Sequence, residues 1–200
     1  MEEDFEFDYT EDAKFSVERY EEMLRKQDLY FFDSQAFENI IDYYIEKSDP
    51  IKALQVVEIA ISQHPYASGF LIRQAQLMLI TGETDYAVAL LEKAESLEPS
   101  NPDIYLIKGS IFETREWHAE ALELYNKALT LSDEPDEIYL QMAYVHENLE
   151  DYQSAIDCLK ASLEHDMENQ DALYELAFCY DIIDQQEESI NFYNQYINKE

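Results

Sequence analysis

The residues from which this chain could assemble a reactive centre are four histidines, two cysteines and a large surplus of carboxylates. His64, His118, His146 and His165 fall at no metal-ligand spacing, and no HExxH, CxxC or Cys–His cluster occurs. His146 sits at a packing position of a helix. His64 precedes Pro65 in a turn, where a solvated or helix-end role suffices. Cys158 and Cys179 fall on neighbouring expected helices and read as small buried hydrophobes rather than a redox pair. Gly69, Gly82 and Gly109 form neither a phosphate loop nor a dinucleotide fingerprint. The carboxylates follow no twelve-residue calcium loop. They also offer no identifiable pair in a sheltered cleft, as glycosidic chemistry requires. The expectation is a non-enzyme without cofactor or metal.

What so many acids can do is electrostatic. The 200 residues include 45 acidic and 13 basic side chains, a formal net charge of -32. Residues 101–200 are the more acidic half, with 23 acids against 5 bases. Little positive surface is left to meet nucleic acid phosphates or anionic lipid. The acidity is therefore either solubility chemistry or complementarity to a positively charged partner. An apolar fraction of 46% separates the chain from a disordered acidic tail. No run approaches the length of a membrane-spanning helix. Two cysteines set up no disulfide framework, and MEEDFEFDYT lacks the apolar core of a secretory leader. A cytoplasmic protein is expected.

With 3 Gly and 5 Pro, the elements that position these charges should be helices. Their arrangement follows from a period. Pro65 and Pro99 lie 34 residues apart, each closing a similar stretch, VVEIAISQHP and LLEKAESLEP. Ala53, Val57 and Ala60 return as Ala87, Leu91 and Ala94, then Ala121, Tyr125 and Ala128. The series continues as Ala155, Leu159 and Ser162, then Ser189, Tyr193 and Tyr196. Each triplet is one helical face. Ahead of each lies a second face: Phe37, Ile41, Tyr44; Leu71, Ala75, Met78; Tyr105, Gly109, Phe112; Tyr139, Ala143, His146; Leu173, Ala177, Tyr180. The small central residue lets the partner helix approach. Neither helix buries its face alone, so successive pairs must stack. Helices are expected over 34–46, 51–63, 68–80, 84–97, 102–114, 118–131, 136–148, 152–165, 170–182 and 186–199.

Over residues 34–200 this pattern resembles the tetratricopeptide repeat family, with Ile41, Ser189 and Tyr196 departing from its small-residue sites. The resemblance implies an all-α, right-handed superhelical solenoid of about five antiparallel helix pairs, spanning 34–67, 68–101, 102–135, 136–169 and 170–200. Residues 13–33 should form a capping helix or degenerate half-repeat. A helix over 13–31 would set Phe15, Tyr20, Leu24, Leu29, Tyr30 and Phe31 against Glu18, Glu21, Glu22 and Lys26. Residues 1–12, with Phe5, Phe7 and Tyr9, make an acidic flexible segment or a strand along the solenoid. The last pair lacks a polar cap, which suggests a fragment of a longer protein, or a homodimer through Ile190, Phe192, Tyr193 and Ile197.

In such a solenoid the first helix of each pair lines the concave face. The second, fifth, sixth, ninth, twelfth and thirteenth residues of each repeat should face the groove, among them Ile72, Arg73, Ile107 and Leu140. The carboxylate clamp of one chaperone-binding subset is absent, since Arg73 and Asn39 stand beside Glu38 and Asp42. The most ligand-like patch is Tyr144, Tyr174 and Phe178 beside Glu137, Glu147, Glu175 and Asp181, with Arg73 elsewhere in the groove. The expected function is an interaction scaffold holding a basic and partly hydrophobic protein segment. The alternatives are a structural, self-associating module or the regulatory arm of an enzyme beyond Glu200.

Overall fold

The computed structural model describes residues 11–197, and every regular element among them is an α-helix. The helices are α1 (Glu11–Lys26), α2 (Ser34–Glu46), α3 (Pro50–Gln63), α4 (Ser68–Thr81), α5 (Thr84–Leu97) and α6 (Pro102–Thr114). They continue as α7 (His118–Leu129), α8 (Asp136–Asn148), α9 (Tyr152–His165), α10 (Gln170–Ile182) and α11 (Gln186–Ile197). From α2 on they pair as antiparallel hairpins of the tetratricopeptide type. The chain divides into two compact units, one ending at Leu97 and one beginning at Glu98.

Short polar side chains start many of these helices by taking up amides that the first turn leaves unpaired. Asp33 accepts from the Ala36 amide at 2.8 Å, Asp49 from Lys52 at 3.1 Å, Asn101 from Asp103 at 3.0 Å, Asp151 from Ser154 at 3.2 Å and Asn169 from Ala172 at 2.9 Å. Pro50 and Pro102 occupy first-turn positions where a missing amide costs nothing. Ser132 makes no cap for α8; its hydroxyl closes a turn on Glu134 instead.

The turn inside each hairpin carries a regularity that composition conceals. Ser48, Gly82, Glu116, Glu150 and Asp184 all have positive φ, at 54°, 84°, 61°, 58° and 60°. They recur at the 34-residue period, yet only one is glycine. A left-handed residue reverses the chain after the first helix and lets the following amide reach back, as Glu83 to Met78 and Asp151 to His146, both at 2.8 Å. Four turns therefore hold a strained non-glycine conformation, over-determined by the packing of the two helices.

In the unit ending at Leu97, α1 packs on α2, α2 on α3, α3 on α4 and α4 on α5. The core gathers Val17, Tyr20, Met23, Phe32, Phe37, Ile40, Ile41, Tyr44, Val57 and Phe70. The expected helix over 13–31 stops at Lys26, and its apolar side is drawn differently. Ala13, Ser16, Val17, Tyr20 and Met23 turn inward, whereas Phe15 is 65% exposed and Leu24, Leu29 and Phe31 also face solvent. The 3.6-residue spacing, rather than side-chain size, sets the buried face. Glu11 and Asp12 open α1, while the rest of the acidic segment expected over 1–12 lies outside the described residues.

After α1 the chain runs extended to bury Phe32. Gln63 spans that segment, donating to the Tyr30 carbonyl at 2.8 Å and accepting from the Phe32 amide at 3.0 Å. His64, read from sequence as a turn residue, lies with Nε2 2.8 Å from the Phe32 carbonyl oxygen, and its ring packs on Phe37 and Phe70. It is a packing histidine.

In the unit from Glu98 onward, each of α6 to α11 packs on its sequence neighbour, and α6 also touches α8. One core joins Tyr105, Ala121, Tyr125, Ala128, Ile138, Met142 and Val145; another joins Leu140, Ala143, Ala155, Leu159, Leu176, Cys179 and Tyr180. Where the first helix's residue is largest the second helix's is smallest, and where it is glycine the other is a ring. Ile41 is matched with Val57, Ala75 with Leu91, Gly109 with Tyr125 and Ala143 with Leu159, while Ala177 in the last repeat stands with Tyr193. The bulky Ile41, an exception to the family pattern, is fully buried beside the smaller Val57 in one core.

Two substitutions test these points. In Gly109→Ala the new Cβ would lie 2.6 Å from Cδ1 of the Tyr125 ring and 2.9 Å from its Cζ, and that ring is fully buried. The clash should exceed the ~1 kcal/mol gain in helix propensity, with overpacking costing about 1–3 kcal/mol. Urea unfolding should show a lowered midpoint, recovered when Tyr125→Leu is added. Glu150→Gly relieves a left-handed glutamate and should raise the unfolding free energy by about 1 kcal/mol; an unchanged or lowered value would show that the turn carries no strain.

Candidate functional site

The first helices of the second unit, α6, α8 and α10, are linked side to side by polar contacts. Asn148 Nδ2 on α8 donates to Glu113 Oε1 on α6 at 3.3 Å. Cys179 Sγ on α10 donates to Glu147 Oε1 on α8 at 3.4 Å. Below them, Tyr125 donates to Glu113 Oε2 at 3.0 Å, and its hydroxyl oxygen lies 3.3 Å from Ser110 Oγ. The buried phenol thus holds one carboxylate oxygen of Glu113 while Asn148 holds the other.

Several carboxyls along this face are pushed above the ordinary carboxylate range. Burial is the main cause for Glu113, partly offset by the hydrogen bond from Tyr125 and by His118. Burial leads again for Glu137, whose Oε1 accepts from Gln141 at 2.7 Å while Asp136 and Asp171 oppose its charge. Glu175 is raised by burial and then by Asp171. Glu147 moves furthest, to about 7, through burial and then the charge of Glu175, with the Cys179 thiol pulling slightly back. Among the described residues no lysine or arginine pairs with Glu137, Glu147, Asp171, Glu175 or Asp181. Three cations of this unit are engaged elsewhere: Lys127 lies 3.9 Å above the Tyr105 ring, Lys160 5.4 Å from Tyr180 and Arg115 5.6 Å from Trp117.

Burial also pushes the Tyr144 phenol up to about 12, and Glu175, Asp171, Glu137 and Glu147 add to the rise in that order. One half-buried ring therefore feels the charge of four carboxyls. The other two rings of the expected patch are differently placed. Tyr174 is 44% exposed and meets Tyr193 and Tyr196 of α11 edge to face at 5.8 and 5.6 Å. Phe178 packs half-buried against the core between α8 and α10. Asp181 is exposed.

Some expected groove residues lie elsewhere. Ile72, Ile107 and Leu140 are buried at 4%, 6% and 3% exposure and belong to the hydrophobic interior. All three are aliphatic residues at the fifth or sixth place of a repeat, whereas Leu106, also fifth, stays half-buried. Arg73 belongs to the other unit, where Nη2 meets Asp42 Oδ1 at 2.6 Å and Nε meets Glu38 Oε2 at 3.2 Å, so its guanidinium is consumed by α2. Cys179 carries more than the apolar bulk expected of it, because its thiol faces Glu147. Burial raises that thiol, with Glu147 adding to the rise, so it stays a protonated donor. The two cysteines are unbridged. Among the described residues no group of three or more His, Cys, Asp or Glu side chains could hold a metal, and no helix is long and apolar enough to cross a membrane.

Two family models described as tetratricopeptide repeat match the sequence, one over residues 72–134 and one over residues 136–166. No curated protein matches it. Among solved structures, MamA superposes with a TM-score of 0.65 at 16% identity, covering 85% of this chain and 96% of MamA. PilF of Pseudomonas aeruginosa gives a TM-score of 0.72 at 15% identity, covering 82% of this chain and 75% of PilF. YrrB, a tetratricopeptide repeat protein with an unusual peptide-binding site, gives 0.55 at 18% identity, covering 93% and 92%. At these identities the likeness is one of fold. The repeated small-residue contacts, the hairpin turns and the matched models converge: the chain carries tetratricopeptide repeats over residues 72–134 and 136–166, the architecture of a protein-interaction scaffold.

Proposed function

We propose that the α6–α8–α10 face binds a basic, partly hydrophobic polypeptide segment. The observation that carries this reading is a row of carboxyls beside Tyr144 and Tyr174, half-buried at Glu147 and Glu175, with no cation of their own among the described residues. Carboxyls raised by burial and mutual repulsion are an unfavourable arrangement in the free protein. A cation from a partner relieves that repulsion, while aliphatic parts of the same segment cover the rings. YrrB, of the same fold, has a peptide-binding site, which makes a peptide a reasonable occupant of this scaffold.

Isothermal titration with short peptides alternating arginine or lysine with leucine should detect binding at ~0.01 M salt. Binding should weaken by about tenfold or more at ~1 M, as the screening length falls from about 30 Å to about 3 Å. Affinity indifferent to salt would defeat the reading, as would affinity unchanged by Glu147→Gln together with Glu175→Gln.

The raised Glu147 carboxyl gives binding and stability opposite pH dependences. A cation prefers the ionised carboxylate, so binding should tighten as pH rises through about 7. The folded state holds this proton to a higher pH than the unfolded chain, whose carboxyl titrates near 4.5. The stability contributed by that proton is complete below the unfolded value and lost as pH rises through about 7. Urea midpoints measured at acidic and alkaline pH should therefore diverge more for the unsubstituted protein than for Glu147→Gln. Equal divergence would place the proton elsewhere.

A further inference from the structure

The chain carries its own precedent for how this face takes a cation. Arg73, sixth in its repeat, reaches from α4 to Glu38 and Asp42, the fifth and ninth residues of the preceding repeat. Three periods of 34 residues later, the position of Arg73 is occupied by Glu175, that of Asp42 by Tyr144 and that of Glu38 by Leu140. The first unit therefore places a guanidinium between neighbouring first helices. The second unit has a carboxylate at the equivalent place, with an aromatic ring opposite.

Most of the other tyrosines that pack between helices are partnered. Tyr44 has Lys52 at 5.3 Å, Tyr105 has Lys127, and Tyr180 has both Lys160 and a stacked Phe192. Tyr174 has the rings of α11. Among the described residues no cation and no second ring lies over Tyr144, and its hydroxyl makes no hydrogen bond. A half-buried, unpartnered phenol on α8, with Glu175 of α10 at the position of Arg73 and Glu147 one turn along α8 facing α10, is a seat for one cationic side chain.

We propose that Tyr144 is the anchor for a single arginine of the bound segment, its guanidinium lying on the ring and forking to Glu175 and a neighbouring carboxylate of α8. This rests on the peptide-binding reading above and names the partner residue that the face selects. Arginine fits better than lysine for three reasons. Its plane stacks on a ring, its several N–H groups serve two carboxylates at once, and it is less strongly hydrated than an ammonium. Leu140, in the place of Glu38, leaves that position without a charge. The face is thus completed by the charge that Arg73 supplies internally in the first unit.

The test uses an acetylated, amidated heptapeptide with one central arginine between leucines, and its lysine and citrulline counterparts. Each is titrated into the isotopically labelled full chain at low salt and followed by amide chemical shifts. The arginine peptide should bind about tenfold more tightly than the lysine peptide, and the citrulline peptide should not bind measurably. Tyr144→Leu should erase the preference and Tyr144→Phe keep it, with circular dichroism confirming the fold of both. Glu175→Arg should supply the guanidinium from within, abolish binding of the arginine peptide and raise the melting temperature. Equal affinity for arginine and lysine, or a preference that survives Tyr144→Leu, overturns the anchor while leaving peptide binding intact. Failure of both cationic peptides to bind overturns the binding reading and the anchor together.

Discussion

The structure depends on how closely two antiparallel helices can approach at one small residue. At Gly109 the approach is tight enough that even a methyl group would fall on the Tyr125 ring. Neither helix of a hairpin buries enough apolar surface alone, so this distance decides whether the pair closes and whether the next pair has a face to stack on. The constraint is on volume shared between two positions rather than on either residue. That explains how Ile41 stands where others have alanine or glycine: Val57 opposite it is correspondingly small. Packing at native density tolerates such exchanges when the sum is kept.

The same closeness holds the turns in place. A reversal through a left-handed residue is natural for Gly82 but costly for Glu116, Glu150 and Asp184. Those residues keep that conformation because the hairpin contacts on either side leave no alternative path. Sequence reading found the hairpins through their side chains, since small and bulky residues return in order. It did not find the left-handed positions, because a backbone angle imposed by packing leaves no signature in residue type when glycine is not required. The helix over Glu11–Lys26 shows a second limit. Its Phe15 ring suggests the wrong side while the Tyr20 ring suggests the right one, because ring size says nothing about direction. The spacing of Ala13, Val17, Tyr20 and Met23 does.

At the candidate site, types and register were legible and contacts were not. The position of each first-helix residue in its repeat follows from the period, so Tyr144, Glu147, Glu175 and Phe178 could be grouped from sequence. Whether a groove position is floor or wall depends on a few degrees of helix rotation, and Ile72, Ile107 and Leu140 fell inward. The Glu147–Cys179 contact joins α8 to α10 and has no counterpart in the spacing of one helix. Arg73 shows the same limit from the opposite side: its residue type suggested a free recognition group, whereas Glu38 and Asp42 already hold it.

Net charge is not what gives the α6–α8–α10 face its character. A surface acid in water costs little, and salt screens its repulsion. The carboxyls of Glu113, Glu137, Glu147 and Glu175 differ because burial is the leading cause of every rise, with neighbouring charges secondary. Desolvation of that kind is produced by the scaffold: stacking first helices side by side covers part of each carboxyl with the next helix. The strain of those covered charges is then available only to something that fits between the same helices, which makes the selectivity of the face a consequence of the packing that builds the fold.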